Sequence, residues 1–250
     1  MRSFWKLVST EMKVVMREPM SVFFTIAFAP LLMGLFGVIF RNEPDKFFGG
    51  GGRFGYIDAS VSAYIGMTLA TAGLMHLPVT VATYREKGIL RRLKITPLSP
   101  QAILGAQMVV MLLMTLIGTS LLIVLGKVAF HLRFGGSVLS LVAGLVLSCV
   151  SFFTLGFVLA GLAKSTRVAQ TASMLIYFPM LFLSGATIPR EAMPQTIRHI
   201  SEYLPLTHVV ILLRGLWFGE AWGRHLTEVA VLAGMLVVGV IISAKTFRWE

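Results

Sequence analysis

The chain has 250 residues, 56% of them hydrophobic and only 13% charged, with a formal net charge of +11. A soluble domain carries about a quarter charged residues, so this composition excludes an ordinary soluble enzyme. The excess of Lys and Arg would suggest nucleic acid in a soluble protein, but here it flanks long apolar runs and marks membrane orientation instead.

Residues 2–18 come first. At 100° per residue, Arg2, Lys6, Lys13 and Arg17 share one face, while Phe4, Trp5, Val8, Met12 and Val15 gather on the far side. The pattern predicts an amphipathic helix lying in the membrane interface. Pro19 then turns the chain into the bilayer.

Six apolar runs follow: Met20–Phe40, Ala59–Thr83, Ile103–Leu125, Val138–Ala163, Val168–Ile188 and Val229–Ala244. None carries Asp, Glu, Lys or Arg in its interior. A hydrocarbon core about 30 Å thick needs about 20 apolar residues to be crossed as a helix. The sixth run reaches that length only by taking in Leu226, Thr227 and Glu228 at its outer end. The expected fold is an all-α polytopic membrane protein, a single transmembrane domain of six helices over residues 1–250. Little is left over for a soluble nucleotide-binding domain. Ala27-Phe28-Ala29 looks like a cleavage site, but the apolar run continues to Phe40, so the first span is read as uncleaved. The basic residues favour a cytoplasmic position for both termini.

The connections are less uniform. Gly50, Gly52 and Gly55 spell G-x-G-x-x-G, but without a strand before or a βαβ unit around them they read as a flexible loop. Gly156–Thr166 misses the phosphate-loop spacing, because Leu162 and Ala163 separate Gly161 from Lys164. The single cysteine, Cys149, rules out an intramolecular disulfide and reads as a packing residue.

Residues 84–100, YREKGILRRLKITPLSP, combine five basic residues with apolar Ile89, Leu90 and Leu93. Leu90 and Leu93 can share a helix face, and Pro97 and Pro100 end it. A loop that only sets topology needs charge and no apolar stripe. The expectation is a short amphipathic helix that meets a soluble partner or the membrane surface. Residues 189–225 are the longest outer connection. Glu191–Tyr203 predicts a short helix. Val209–Phe218 is too short to span and reads as re-entrant or interfacial. Gly215, Gly219 and Gly223 recur every four residues and suit close helix approach; Trp217 and Trp222 beside them suit anchoring at the interface.

Chemistry within the spans is sparse. His76, beside Pro78, is the one ionisable candidate at depth, and no span has an acid near its middle. Ser184-Gly185 resembles part of a rhomboid-type serine protease turn, but Phe182 replaces the first glycine and the sixth span has no His. No catalytic residue, metal site or bound cofactor is expected. Thr68, Thr71 and His76 on the second span, with Thr171, Ser173 and Tyr177 on the fifth, either line a path or hold helices together.

Two stretches carry a family resemblance. One is Arg85, Glu86, Lys87, Gly88, Leu90, Arg92, Leu93, Thr96, Pro97, Ser99 and Pro100. The other is Leu183-Ser184-Gly185, Pro189, Met193-Pro194, Leu204–Thr207 and Leu213-Arg214-Gly215. With the N-terminal helix and six spans, they resemble the permease subunits of type-2 ABC exporters, in the drug- and lipid-exporting branch. The resemblance implies two permeases, alike or different, working with two cytosolic ABC ATPases that bind ATP and Mg. It implies that the 84–100 segment is a coupling helix, with Arg85, Glu86, Lys87, Gly88, Leu90, Arg91, Arg92 and Leu93 facing the ATPase. Leu90 and Leu93 would fill an apolar groove, and Arg85, Arg91 and Arg92 would meet acidic rims. The substrate implied is hydrophobic or amphipathic, such as a drug, antibiotic or lipid, exported across the inner or plasma membrane. Membrane lipids are expected partners and nucleic acid is not. An ion-coupled secondary transporter and an intramembrane serine hydrolase are the alternatives.

Overall fold

Every regular element in the computed structural model, which describes residues 2–44, 52–89, 100–185 and 193–246, is helical. In chain order these are α1 (Arg2–Met16), α2 (Pro19–Phe40), α3 (Tyr56–Glu86), α4 (Pro100–Phe130) and α5 (Val138–Leu162), then α6 (Thr166–Leu183), α7 (Gln195–Ser201), α8 (Pro205–Phe218) and α9 (Leu226–Thr246). Among the described residues, five helices are long and apolar enough to cross a membrane: α2, α3, α4, α5 and α9. The run expected as the fifth span, Val168–Ile188, corresponds to α6. Its first turns carry Arg167, Gln170 and Thr171, which dilute its apolar character, and residues 186–192 lie outside the described part.

α3 is the axis of the bundle. Its apolar stretch is 78% buried, against 11% for α9, which leaves Val237, Val238, Val240 and Ile241 on the outer surface. α3 packs against α2, α4, α5, α6 and α8. It crosses α5 where Gly73 faces Gly156: a Cβ at Gly156 would collide with the Gly73 carbonyl oxygen, and one at Gly73 would meet the Phe152 backbone at 3.1 Å. Small residues set this distance, as they do wherever lipid gives helices no hydrophobic reason to associate. The near-miss phosphate-loop glycine is therefore a crossing point. Cys149, on the same helix, is fully buried. α9 rests on α5 through Ser151, whose hydroxyl donates to the Leu232 carbonyl at 2.9 Å.

Two polar nodes fasten opposite ends of α3. At its start, the Asp58 carboxyl group is fully buried. It accepts from the Gly55 N–H (2.9 Å), the Arg133 N–H (2.8 Å) and Asn42 Nδ2 (3.1 Å). Asn42 Oδ1 accepts in turn from the Ile57 N–H, and its Nδ2 also donates to the Phe130 carbonyl. The ends of α2 and α4 are thus bound to the first turn of α3. Asp58 at the third helical position reaches back to Gly55, which itself has no side chain to cap with.

α8 packs beside this same half of α3, with Leu206, Val209 and Val210 around Gly66. It is too short to cross and lies buried in the bundle. Trp217 is 1% exposed and donates to the Arg133 carbonyl, so it anchors α8 to the α4–α5 turn rather than to an interface. The glycine stripe divides. Gly215 faces the His225 ring, Gly219 closes α8 in a left-handed conformation, and Gly223 would meet nothing within 4 Å. Within the described part of the short helix expected over Glu191–Tyr203, α7 forms over Gln195–Ser201.

Candidate functional site

A cavity of about 430 Å³ opens between α2, α3 and α6. Its walls are almost wholly apolar. α2 supplies Phe24, Phe28, Leu32 and Phe36, and α6 supplies Met174, Phe178, Leu181 and Phe182. Phe24 and Phe28 meet edge to face at 5.2 Å. Phe24, Phe178 and Phe182 are each two-fifths exposed or more, so the rim reaches the outer surface of the bundle. α2 and α6 flank α3 without extensive contact with each other, which leaves the gap.

Two irregular turns shape the cavity. Residues 23–27 of α2 and 71–76 of α3 wind as π-turns, shortly before Pro30 and Pro78. A proline ring clashes with the carbonyl four residues back, and a widened turn relieves the clash. The wider winding places Thr71, Met75 and His76 on the cavity wall. The Thr71 and Tyr177 hydroxyls bond to each other at 2.9 Å. His76 Nε2 is buried and has no hydrogen-bond partner among the described residues.

Three of the six residues expected on a path are therefore brought together: Thr71, His76 and Tyr177. The other three lie elsewhere. Thr68 donates to the Tyr64 carbonyl and packs toward Gly118 of α4. Thr171 is exposed and donates to the Arg167 carbonyl. Ser173 is fully buried but does not line the cavity. The aromatic walls on α2 and α6 escaped the sequence reading, because phenylalanine in a membrane span is unremarkable by composition. Ser184 Oγ is buried with no hydrogen-bond partner among the described residues.

The opposite half of α3 ends in three consecutive residues that reach three other helices. Tyr84 Oη donates to Glu11 Oε2 on α1 at 2.6 Å. The Arg85 guanidinium donates to the Ala160 and Ala163 carbonyls at the C-terminus of α5, both at 2.8 Å. Glu86 Oε2 accepts from the Thr166 N–H, the first of α6, at 3.0 Å. Positive charge at a helix C-terminus and negative charge at an N-terminus both complement the helix dipole. Arg85, expected to meet an acidic rim on a partner, thus caps α5, and Glu86 caps α6. Lys87 is exposed, and Gly88 ends α3 at φ +66°, a conformation that favours glycine. Leu90, Arg91, Arg92 and Leu93 lie outside the described residues.

α1 packs against α4 and the start of α2. Lys6, Lys13 and Arg17 are exposed and Val8 and Val15 buried, as the amphipathic pattern predicts; the Arg2 side chain lies outside the described part. Trp5 departs from it and is 62% exposed. Glu11 was missed: it is 5% exposed and also accepts from Gln107 Nε2 of α4 at 2.6 Å. Its position between Val8 and Val15 on the apolar face was the available signal.

Burial pushes the Glu11 carboxyl above the ordinary glutamate range, against the Tyr84 and Gln107 hydrogen bonds, which pull it down. A raised carboxyl pKa means that the folded state holds its proton to higher pH than the unfolded chain. The Glu11 contribution to stability is then greatest in acid and declines as pH rises from the ordinary value through the raised one. Relative to Glu11→Gln, the wild-type protein should lose melting temperature across that window. Thermal unfolding in detergent at a series of pH values checks this, and a constant difference would contradict it.

Comparison with known proteins agrees with this architecture. Residues 49–245 match a family described as ABC-2 family transporter protein. Over 168 residues the chain is 29% identical to the inner membrane transport permease YhhJ of Escherichia coli K12, covering 65% of this chain and 45% of that one. The chain therefore spans less than half the length of that relative. It is 24% identical over 233 residues to the daunorubicin resistance ABC transporter permease protein DrrB1 of Streptomyces coeruleorubidus, covering 91% and 78% of the two chains. It is 32% identical over 99 residues to nodulation protein J of Rhizobium leguminosarum bv. viciae, covering 40% and 38%. With a helical membrane architecture and a match across most of its length, the chain belongs to the ABC-2 transporter family.

Proposed function

We propose that this chain is the non-catalytic, membrane-spanning permease of an ATP-driven exporter, and that the cavity between α2, α3 and α6 receives a hydrophobic or amphipathic substrate from the bilayer. The observation that carries the reading is the cavity: an apolar chamber with aromatic walls and a rim on the outer surface, in a chain of this family. Apolar pockets with a few placed polar groups are the usual form of small-molecule sites. The Thr71–Tyr177 hydroxyl pair and His76 would orient the polar part of the substrate. The naming of one relative for daunorubicin resistance supports a drug-like amphipath. ATP and Mg would be bound by a separate cytosolic ATPase, docked on the basic segment 84–100, with a second permease copy completing the assembly. Both termini would then face the cytoplasm.

Purification from native membranes in mild detergent tests the reading. An ABC ATPase should co-purify with the chain. Reversing the charge of Arg91 and Arg92 together should leave the protein inserted while separating ATP hydrolysis from export. Export at the wild-type rate by that double variant, or a chain that purifies alone, would refute the assignment.

A further inference from the structure

One carboxylate oxygen ties the N-terminal helix to both sides of the 87–99 connection. Glu11 Oε2 accepts from Tyr84 Oη and from Gln107 Nε2, each at 2.6 Å. Tyr84 lies in the last turns of α3, just before the connection, and Gln107 lies near the start of α4, just after it. Such short distances are typical of hydrogen bonds assisted by charge. Glu11 and Gln107 are 5% and 1% exposed, so water competes little for these bonds. An apolar side chain would seat α1 against α4 as well as Val8 and Val15 already do. A buried carboxylate adds directionality: it is satisfied only when three helices hold one register, whereas hydrophobic contacts tolerate sliding.

We propose that Glu11 is a positioning residue that clamps the end of α3 and the start of α4, the two roots that flank the 87–99 connection, to α1, so that these two helix ends and the N-terminal helix move as one body. Arg85 and Glu86, next along the chain, carry the same root to α5 and α6. Displacement of the α3 end is then shared at once by α1, α4, α5 and α6. Its functional meaning rests on the exporter reading above; the clamp itself does not.

Hydrogen–deuterium exchange on the full chain in lipid nanodiscs tests the clamp without an ATPase. Glu11→Ala should speed amide exchange in α1 and in residues 84–107 by about tenfold or more, the equivalent of one charge-assisted hydrogen bond, while α8 and α9 keep wild-type protection. Tyr84→Phe, a milder change, should loosen the α3 root and spare the α4 root. The exchanged pair Glu11→Gln with Gln107→Glu should restore protection, because the acid and amide merely trade places. Wild-type exchange at both roots in Glu11→Ala, or no rescue by a folded exchanged pair, would overturn the proposal. In the complex with its ATPase, Glu11→Ala should hydrolyse ATP with an unchanged KM but export less per ATP, and the exchanged pair should recover export. If the wild-type chain recruits no ATPase, the exporter reading fails while the exchange result still decides the clamp.

Discussion

Asp58→Ala is expected to cost the folded bundle about 2–3 kcal/mol, because it strands the buried Gly55 N–H and takes the acceptor from the part-buried Arg133 N–H as well. The carboxyl group accepts from the Gly55 and Arg133 amides, and both lie where α3 meets the ends of its neighbours. A buried donor without a partner costs about 1–3 kcal/mol. Asn42 loses less, since its Nδ2 retains the Phe130 carbonyl. Asp58→Asn keeps one carbonyl oxygen and should lose about half as much. Thermal or denaturant unfolding in detergent would show the order wild type, Asp58→Asn, Asp58→Ala. An alanine variant as stable as the wild type would mean that the node is not structural.

The second large effect is expected at the α3–α5 crossing. In Gly156→Val, the new Cβ falls on the Gly73 carbonyl oxygen, which is backbone and cannot turn aside as a long side chain would. Overpacking typically costs about 1–3 kcal/mol, and a backbone obstacle puts this variant at the upper end or beyond. Either α5 moves away, or the 71–76 turn shifts with Gly73, and that turn carries the Thr71 and His76 wall of the cavity. The expected result is a lowered melting temperature together with lost substrate binding. Gly234→Ala is the matched control, because a Cβ there meets nothing within 4 Å and alanine favours the helix. If Gly156→Val behaves like the control, the crossing is looser than its geometry.

These two sites differ in how far the sequence announces them. The spans themselves are legible because twenty apolar residues in a row have few other uses. Which span stands at the centre is not, since a lipid-facing helix and a protein-facing one are similarly apolar: α9 has the higher mean hydropathy at 2.3, yet α3 at 1.4 is the buried axis. Gly156 drew notice only as a poor phosphate-loop match, and nothing in the pattern marked Asp58. Their roles depend on residues far along the chain, Gly73 and Arg133. Glu11 was readable in principle, because an acid on the apolar face of an amphipathic helix breaks the pattern. Of the six path candidates, Thr71, His76 and Tyr177 share a cavity wall, and the α-helical period alone could not anticipate the π-turn that rotates Thr71 and His76 onto it. Arg85 and Glu86 were read as contacts for another protein; their charges are drawn to the nearest helix ends.

The lone thiol of Cys149 has a practical corollary. It sits in α5 with no exposed surface, and the chain has no other cysteine. A thiol reagent dissolved in water therefore finds nothing to modify on the native fold. The protein serves as its own unlabelled background, and a cysteine introduced at an exposed position such as Lys87 or Tyr203 will report from that position alone, with no need to re-engineer the interior first.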